Sequence, residues 1–592
     1  AQLTTGYNDT FESTVIAALE FEQKLDFLTK GLRFKALGTF KNWSKSINKY
    51  SAGWNKYLLG SYEQNEDGSY SYTTNRVGNE VSTDLNSTNE TAGDRRIYLE
   101  AMVDYNRTFG RHDVNAMLLY NQDELVNNVP GNNLINSLPK RKQGLAGRLS
   151  YAYDGKYMAE VNMGYNGSEN FAKGHRWGFF PSIALGYNIS EESFFEPLRK
   201  VITSMKLRGS WGLVGNDQIG GERFIYMPTI NLSGKGFTTG IDQNYGLSGP
   251  VYTRYENNSI TWEVGEKINL GIDLQLLNSL NIVVDIFRET RRDIFQKKGT
   301  IPTYLGTGNT DVFGNLAEMK NQGLDLSIDY NKAFSKDFYM NFKGTFTYAH
   351  NEITKYDEAP KYAFQSKVGQ SANVSQGYLS NGLFLDEAEI DRYNQQMGST
   401  LGAGDIKYLN VSNMHGYGDD IVDVDDWTWI GNPTVPEIVY GFGPSFKYKN
   451  WDFSFFFQGV AKTSLFMSGF HPFGDNSLRN VLQFVANDRW SPTNQNVDAK
   501  YPRLTRKTSL NNTNPGNSGR TSDYWMRDGS FLKLKNMELG YTFKRMRFYI
   551  SGSNLLTFSK FDLWDPEQGG GSGLKYPTQR VFNVGFQMTF NN

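Results

Sequence analysis

The stretch Asn269–Leu276, with the sequence NLGIDLQL, decides the fold class because its apolar and polar residues alternate strictly. Leu270, Ile272, Leu274 and Leu276 occupy every second position, and polar or small residues stand between them. Successive side chains of a β-strand point to opposite faces of the sheet. The stretch therefore predicts a strand with one apolar and one polar face.

The same alternation recurs along the chain. The apolar members of four further runs are Leu19, Phe21, Leu25 and Phe27; Leu324, Leu326, Ile328 and Tyr330; Met340, Phe342, Phe346 and Tyr348; and Val584, Phe586, Met588 and Phe590. We expect strands of about 12 to 17 residues, whereas strands of soluble proteins usually have about 5 or 6. Long two-faced strands are typical of a membrane barrel, whose apolar face meets lipid while its polar face lines a lumen.

The composition excludes several classes of protein. The 592 residues include 61 Lys+Arg and 62 Asp+Glu, so the net charge is −1, whereas a nucleic-acid binder should show a basic excess. Cysteine is absent, which excludes disulfide scaffolds and Cys-ligated metals. No apolar run reaches the ~18 residues of a transmembrane helix, and no signal-peptide pattern opens the chain. A set of soluble β domains would need Pro-rich linkers, which the sequence does not show.

The connections between the predicted strands, of which we count about 17, alternate between short and long. Short connections are predicted near 29–31, 109–111, 154–156, 190–202, 278–279, 334–337, 450 and 544–545. Long connections are predicted at 45–95, 127–141, 168–177, 216–260, 296–315, 354–435, 467–530 and 562–577. Alternate connections of an up-and-down sheet lie on the same side, so this order predicts an outer-membrane barrel with short periplasmic turns and long extracellular loops.

The parity of the strands adds an expectation about the N-terminal side. In outer-membrane barrels the final strand runs inward and ends at an aromatic residue, here Phe590. With an odd count the first predicted strand also runs inward, whereas single-chain bacterial barrels have an even number of strands. We therefore expect an odd number of strands to be missing before Ala1.

A set of sequence blocks, taken in order, carries a family resemblance. The blocks are Gly144–Tyr153, Ala159–Phe171, Arg176–Tyr187, Leu207–Asn216, Thr261–Asp273, Gly314–Leu326, Gly377–Asn394, Gly431–Phe442, Phe531–Phe543 and Ile550–Phe558. Together they resemble the SusC/RagA family of TonB-dependent outer-membrane transporters, whose barrels have 22 strands around a plug. The resemblance implies that residues 1–592 are the C-terminal portion of such a barrel and that the plug domain and first strands are not in this chain.

The resemblance also implies a location, an activity and partners. It implies active import across the bacterial outer membrane, and no covalent chemistry. The implied cargo is a bulky nutrient, most often an oligosaccharide and in some members a peptide. The implied partners are outer-membrane lipid, a SusD-like surface lipoprotein that captures the substrate, and TonB–ExbB–ExbD, which supplies energy through the missing plug.

An Asp-rich loop that ends at Ile430–Pro433 is the candidate metal site. Members of the family often carry a calcium loop here, and alignment backwards from Ile430–Pro433 places Asp423 and Asp426 on its second half. Asp419 is the only acidic ligand position of the first half of that loop that this sequence keeps, whereas Ca²⁺ needs six to eight oxygen ligands. The resemblance therefore implies Asp419, Asp423 and Asp426 as calcium ligands, and a solvated acidic loop without metal is the alternative.

Aromatic residues in the predicted loops are the candidate substrate contacts. Sugar rings stack on the rigid side chains of Trp and Tyr, which also offer a polar group. The candidates are Trp427, Trp429, Tyr245, Tyr252, Tyr255, Trp490 and Trp525. The alternative for each is a place in loop packing or in the aromatic girdles of a membrane barrel.

Three other functions remain as alternatives to import. A passive porin would need no plug, and a structural or secretion barrel would have no ligand cavity. An outer-membrane hydrolase would need a catalytic site, but the sequence has no H-E-x-x-H, G-x-S-x-G or Walker motif. The histidines are scattered at His112, His175, His350, His415 and His471. One stretch, Asp386–Met397, has helical periodicity and predicts a short external helix.

Overall fold

Long antiparallel strands dominate the computed structural model, which describes residues 6–131, 134–302, 304, 310–393, 395–396, 401–417, 419–468, 481–505 and 521–590. Seventeen of the strands belong to one sheet, as the alternation predicts. They are β1 (Gly6–Lys24), β2 (Leu32–Ser51), β3 (Asn86–Phe109), β4 (His112–Asn127), β5 (Lys140–Tyr153), β6 (Tyr157–Ser168), β7 (Trp177–Asn188), β8 (Ile202–Asn216), β9 (Glu263–Leu276), β10 (Leu280–Lys297), β11 (Phe313–Ala333), β12 (Phe338–Lys355), β13 (Ile438–Tyr448), β14 (Trp451–Ala461), β15 (Phe531–Phe543), β16 (Met546–Ser559) and β17 (Val581–Met588).

The remaining elements lie in the connections. The helices are α1 (Leu134–Ser137), α2 (Glu387–Arg392), α3 (Val411–Met414) and α4 (Gln483–Asn487). Single 3₁₀ turns are Ile189–Glu191, Ser193–Leu198, Ala363–Gln365, Val424–Asp426, Asp523–Trp525 and Pro566–Gln568. Paired loop strands are Lys56–Gln64 with Tyr70–Val77, Thr229–Thr239 with Tyr245–Arg254, Ser375–Gly377 with Thr428–Ile430, Ser380–Leu383 with Ile406–Tyr408, Gln395–Gln396 with Ile421–Val422, and Ser464–Phe466 with Met526–Asp528.

The predicted order of short and long connections is confirmed with one exception, because the predicted short connection 189–201 is longer than the predicted long connections 128–139 and 169–176. The short ones are 25–31, 110–111, 154–156, 189–201, 277–279, 334–337, 449–450 and 544–545. The long ones are 52–85, 128–139, 169–176, 217–262, 298–312, 356–437, 462–530 and 560–580. The two kinds alternate from β1 to β17, which is the pattern of an up-and-down sheet.

One compact unit comprises residues 1–151, 161–180 and 221–225. Its strands β1, β2, β3 and β4 pair in chain order along nearly their whole length. On the polar face, Arg33 of β2 lies opposite Asp104 of β3 and contacts its carboxylate at 2.7 Å (Nη2 to Oδ1). Beyond the strands, the buried Arg223 pairs with Glu169 at 2.6 Å and holds the segment 221–225 in the unit.

The other unit comprises residues 152–160, 181–220 and 226–592. Its strands from β8 to β17 pair antiparallel, each with the next in the chain. On the polar face, Arg208 of β8 joins three strands, because it donates to Asp273 of β9 and, through Nη1 at 2.6 Å, to Asp285 of β10. Such partly exposed ion pairs need water nearby, since desolvating charge is costly.

The other face of the strands is apolar and exposed. In β9, Ile268 and Leu270 are 42% and 63% exposed, and Val584 in β17 is 88% exposed. Contiguous apolar faces of this extent on a protein surface mark contact with a partner or a membrane. The two-faced strand inferred from Asn269–Leu276 is therefore what the structure shows. Among the described residues, no helix has the length and apolar character needed to cross a bilayer.

Candidate functional site

Three long connections between strands fold together around a hydrophobic cluster, which we call the loop core. It draws its residues from the connections 356–437, 462–530 and 560–580. Its members are Tyr378, Leu383, Ile406, Tyr408, Val422, Leu465, Met467, Val485, Trp490, Ala499, Tyr501, Trp525 and Phe561. The three connections therefore pack against one another, because burying their apolar side chains together favours one arrangement.

One local and one long-range polar contact position the segments around the loop core. Asp386 caps α2 by accepting a hydrogen bond from the backbone N–H of Glu389 at 2.8 Å, and the predicted helix is thus confirmed for Glu387–Arg392. Two loops are joined by Arg503, which donates to both oxygens of the buried Asp405 at 2.6 and 2.9 Å. A two-point contact of this kind fixes orientation as well as distance.

Lys533 fastens the third loop to the sheet. Its ammonium group has no solvent exposure and contacts Asp565 at 2.5 Å and Glu567 at 2.7 Å. Burial by itself would raise the pKa of each carboxyl, but hydrogen bonds from Lys533, together with those from the backbone N–H of Glu567 to Asp565 and from Lys535 to Glu567, outweigh it and hold both pKa values below their usual range. The carboxylates are therefore ionised and paired at neutral pH.

A cavity of about 710 Å³ opens beside the loop core. Aromatic side chains form much of its wall, among them Phe484, Tyr501, Tyr524 and Phe561. Arg527 lines it as well, so the cavity combines apolar walls with a permanent positive charge. Its volume falls within the ~300–1,000 Å³ typical of pockets for small ligands.

The tyrosines of this cavity are held neutral. Burial raises the pKa of Tyr524 and of Tyr501 above the ordinary value of a phenol. The hydroxyl of Tyr524 donates to the carbonyl of Ala499 at 2.7 Å, so this ring is fixed in the wall. The cavity can therefore offer ring faces and a cation to a ligand.

The four predicted tryptophans lie mostly inside the loop layer. Trp525 is fully buried and Trp490 is 6% exposed, and both belong to the loop core. Trp427 packs against that core, with its ring 5.9 Å from the ring of Tyr378. Trp429 donates its indole N–H to the carbonyl of Ser366 at 2.8 Å. Their placement supports loop packing, the alternative that the sequence left open.

The three predicted tyrosines lie on or beside the hairpin Thr229–Arg254. Tyr245 is 63% exposed, Tyr252 46% and Tyr255 37%. The rings of Tyr252 and Tyr255 stack with centroids 5.3 Å apart, while Tyr245 stands at the other end of its strand. These exposed rings remain candidates for ligand contact.

The carboxylates of the predicted calcium loop are occupied by hydrogen-bond donors of the chain. The buried Asp426 accepts from the backbone N–H groups of Ser412 and Asp423, and Asp423 accepts from that of Asp425. Asp419 accepts from the N–H of Ile421 at 3.1 Å. Within the described part of the chain, no three His, Asp or Glu side chains converge as metal ligands. These contacts give no support to a calcium shell, and calcium binding by Asp419, Asp423 and Asp426 stays a prediction.

Sequence patterns did not reveal the residues around the cavity. Arg527 stands in the stretch Trp525–Gly529, which has no periodicity or motif. The other residues of the cavity come mostly from distant parts of the same connection and from the connection 560–580. The only local signal was a basic residue amid aromatics in a long loop. Tyr501 and Tyr524 were not among the residues predicted to contact a ligand. One of the five histidines, His471, lies outside the described residues.

Known proteins similar to this chain share its sequence pattern and its fold. Residues 3–555 match the family described as TonB dependent receptor-like, beta-barrel. The TonB-dependent receptor P3 of Formosa agariphila is 25% identical over 98% of this chain and 58% of its own length. The TonB-dependent receptor SusC of Bacteroides thetaiotaomicron is 28% identical over 75% of this chain and 43% of its own. The structure of the RagAB peptide transporter superimposes with a TM-score of 0.70 at 18% identity, over 98% of this chain and 62% of that one.

Proposed function

Because the chain belongs to the TonB-dependent receptor-like β-barrel family, we propose that its protein imports a bulky nutrient across the bacterial outer membrane with energy from TonB. The family places the chain in the outer membrane. It is also a family of receptors, which agrees with the expectation that the protein is not an enzyme. The resemblance to SusC and RagA seen in the sequence blocks is confirmed.

The observation that carries the proposal is the family match over residues 3–555, which runs through nearly all of the seventeen-stranded sheet. The sheet supplies what such a transporter needs in a bilayer, since strands such as β9 expose apolar side chains on one face and carry polar ones on the other. The loop core supplies a folded layer of loops with a cavity.

We further infer that residues 1–592 form the C-terminal portion of a longer, 22-stranded barrel with a plug. The chain spans 58% of one relative and 43% of another, which supports this inference. TonB–ExbB–ExbD would then act through the plug domain, which the family resemblance places outside this chain.

A SusD-like surface lipoprotein is the proposed partner on the external side. The likeness to SusC and to the RagAB chain supports this partner, and the folded loops offer the surface that it would cover. The proposed cargo is an oligosaccharide. A peptide is the alternative cargo, because the RagAB transporter, whose fold this chain shares, carries peptides.

The experiment that tests the proposal measures uptake in living cells. Cells with and without the gene are fed mixed oligosaccharides or peptides, and uptake is compared before and after a protonophore dissipates the inner-membrane gradient. Active import predicts that uptake needs both the gene and the gradient. Gene-dependent uptake that survives the protonophore would instead identify a passive porin. Gentle detergent extraction should recover a surface lipoprotein with the chain.

A further inference from the structure

Arg527, which lines the cavity, donates only to backbone carbonyls among the residues that the structure describes. Its Nη1 donates to the carbonyls of Tyr524 and Met526, both at 2.7 Å. Within the described residues it has no carboxylate partner, whereas Arg503 of the same layer forms a two-point ion pair with Asp405. Two carbonyl dipoles do not neutralise a guanidinium, so Arg527 retains an uncompensated positive charge.

The remaining donors of Arg527 are accessible. Its Nε and Nη2 have no hydrogen-bond partner in the described part of the chain. Neither atom is among the fully buried polar atoms without a partner, so both have some access to solvent. Arg527 lines the 710 Å³ cavity, where these donors are available to a bound ligand. A guanidinium holds its donors in a planar fork that matches the two oxygens of a carboxylate.

The surroundings favour an anion over a neutral group. Lys500 and Lys560 also line the cavity, against the two carboxylates Asp488 and Asp562. Lys500 pairs with Asp488 at 3.7 Å, and Lys560 contacts Asp528 at 3.9 Å, both as exposed pairs that contribute little. The cavity lining thus holds three cations and two anions, and its most buried charge is Arg527.

The aromatic walls would strengthen an ion pair formed at Arg527. Phe484 and Tyr501 meet edge to face with centroids 5.8 Å apart, and Tyr501 is 4% exposed. Burial also lowers the pKa of Arg527, which reports an apolar environment, although the group stays charged at neutral pH. An ion pair is stronger in such an environment than in bulk water, and the ring faces can hold an apolar or sugar surface next to it.

We propose that this cavity binds a carboxylate-bearing ligand, with Arg527 pairing with the carboxylate and the aromatic walls contacting the group that carries it. Two cargo classes present this chemistry, namely oligosaccharides with uronic acids and peptides with a free terminal or side-chain carboxylate. Naming the ligand as cargo rests on the proposed import function, but binding to the purified protein does not.

The test compares matched charged and neutral probes on the detergent-purified protein from outer membranes, by isothermal titration calorimetry. One pair is tetragalacturonate and maltotetraose, and the other is an acetylated aromatic tetrapeptide with a free C-terminal carboxylate and the same peptide as an amide. A charge-assisted contact predicts about 10- to 100-fold tighter binding of the acid in at least one pair. Preference in one pair identifies the source of the carboxylate.

Variants then locate the contact. Arg527→Gln should abolish the preference for the acid, and Arg527→Lys should keep only part of it, because a lysine retains the charge without the fork. Arg392→Gln is the matched control, since the exposed Arg392 also donates to a backbone carbonyl and lies on α2, outside the cavity.

Failure has a distinct signature. If neither acid binds more tightly than its neutral partner, the proposal is overturned without reference to any variant, and it is overturned equally if Arg527→Gln folds and keeps the preference. Gel mobility without heating reports the folding of each variant. Because these measurements use no cells and no TonB, a negative uptake assay with positive binding would count against import alone.

Discussion

At the scale of single residues, the interactions that hold the loops in place are a few buried charges. Lys533 is the clearest, because it has no solvent exposure and pairs with both Asp565 and Glu567. Removing one member of a buried charge cluster leaves the others desolvated without compensation. The neighbouring Lys535 contacts the same Glu567 at 2.7 Å but is 24% exposed, which makes it a natural comparison.

We expect Lys533→Met to destabilise the connection 560–580 locally by about 3 kcal/mol, because it leaves the partly buried Asp565 without its ammonium partner, while Glu567 keeps only Lys535. Lys535→Met, the control, should cost at most ~1 kcal/mol, since water can replace a partly exposed pair. Hydrogen–deuterium exchange of the segment 561–570 measures both as a loss of local protection. Equal effects of the two changes would contradict the role assigned to Lys533.

The same cluster predicts a response to acid. The folded state lowers the pKa values of Asp565 and Glu567, so their stabilisation is fully present above the ordinary values of 3.8 and 4.5 and is lost as pH falls below them. Exchange protection of 561–570, corrected for intrinsic rates, should therefore be lower at about pH 3 than at about pH 7. The difference should shrink in Lys533→Met. Protection that does not change with pH in the unmodified protein would contradict the prediction.

At the scale of elements, the strands are two-sided and the two sides need different solvents. Leu270 in the middle of β9 is 63% exposed on the apolar face, whereas its neighbour Asn269 points to the opposite, polar face. The same alternation that forms the strand therefore also decides which side chains meet lipid.

We expect Leu270→Arg to cost about 2–4 kcal/mol, because it places a charge in the hydrocarbon layer. Asn269→Arg is the control, since its side chain enters the polar face, where Arg208 of β8 already lies among carboxylates. The folded fraction in outer membranes, measured by gel mobility with and without heating, should fall for Leu270→Arg alone. Similar losses in both variants would contradict the assignment of the faces.

At the scale of the whole molecule, sheet and loops follow different rules. The sheet is built from neighbours in the chain, because β8 to β17 each pair with the next strand. The loop core joins three connections separated by whole hairpins, such as Tyr378 with Trp525 and Phe561.

We expect the native outer-membrane protein to contain a polypeptide longer than these 592 residues, since the relatives are longer and a 22-stranded barrel needs further strands. Intact-mass spectrometry of the purified protein, with peptide mapping across Ala1, measures this directly. A mature polypeptide of the mass of this sequence alone would contradict the expectation.

The sequence by itself determined the strands, their number, the order of short and long connections, and the family. Alternation such as that of Asn269–Leu276 is a local property. Each residue of a barrel strand faces either lipid or the polar interior, whichever strands pair with it. The helix at Glu387–Arg392 was equally local, since Asp386 supplies its cap.

Only the tertiary structure decided which loop aromatics are buried and which partners the loop carboxylates have. Trp490 and Trp525, which were predicted as ligand contacts, lie in the loop core, and Asp426, which was predicted as a calcium ligand, accepts backbone hydrogen bonds. Arg527 could not be distinguished from any other loop arginine. The physical reason is that burial and pairing in these loops depend on residues more than a hundred positions apart, such as Ser380 and Asp523, which no local pattern records.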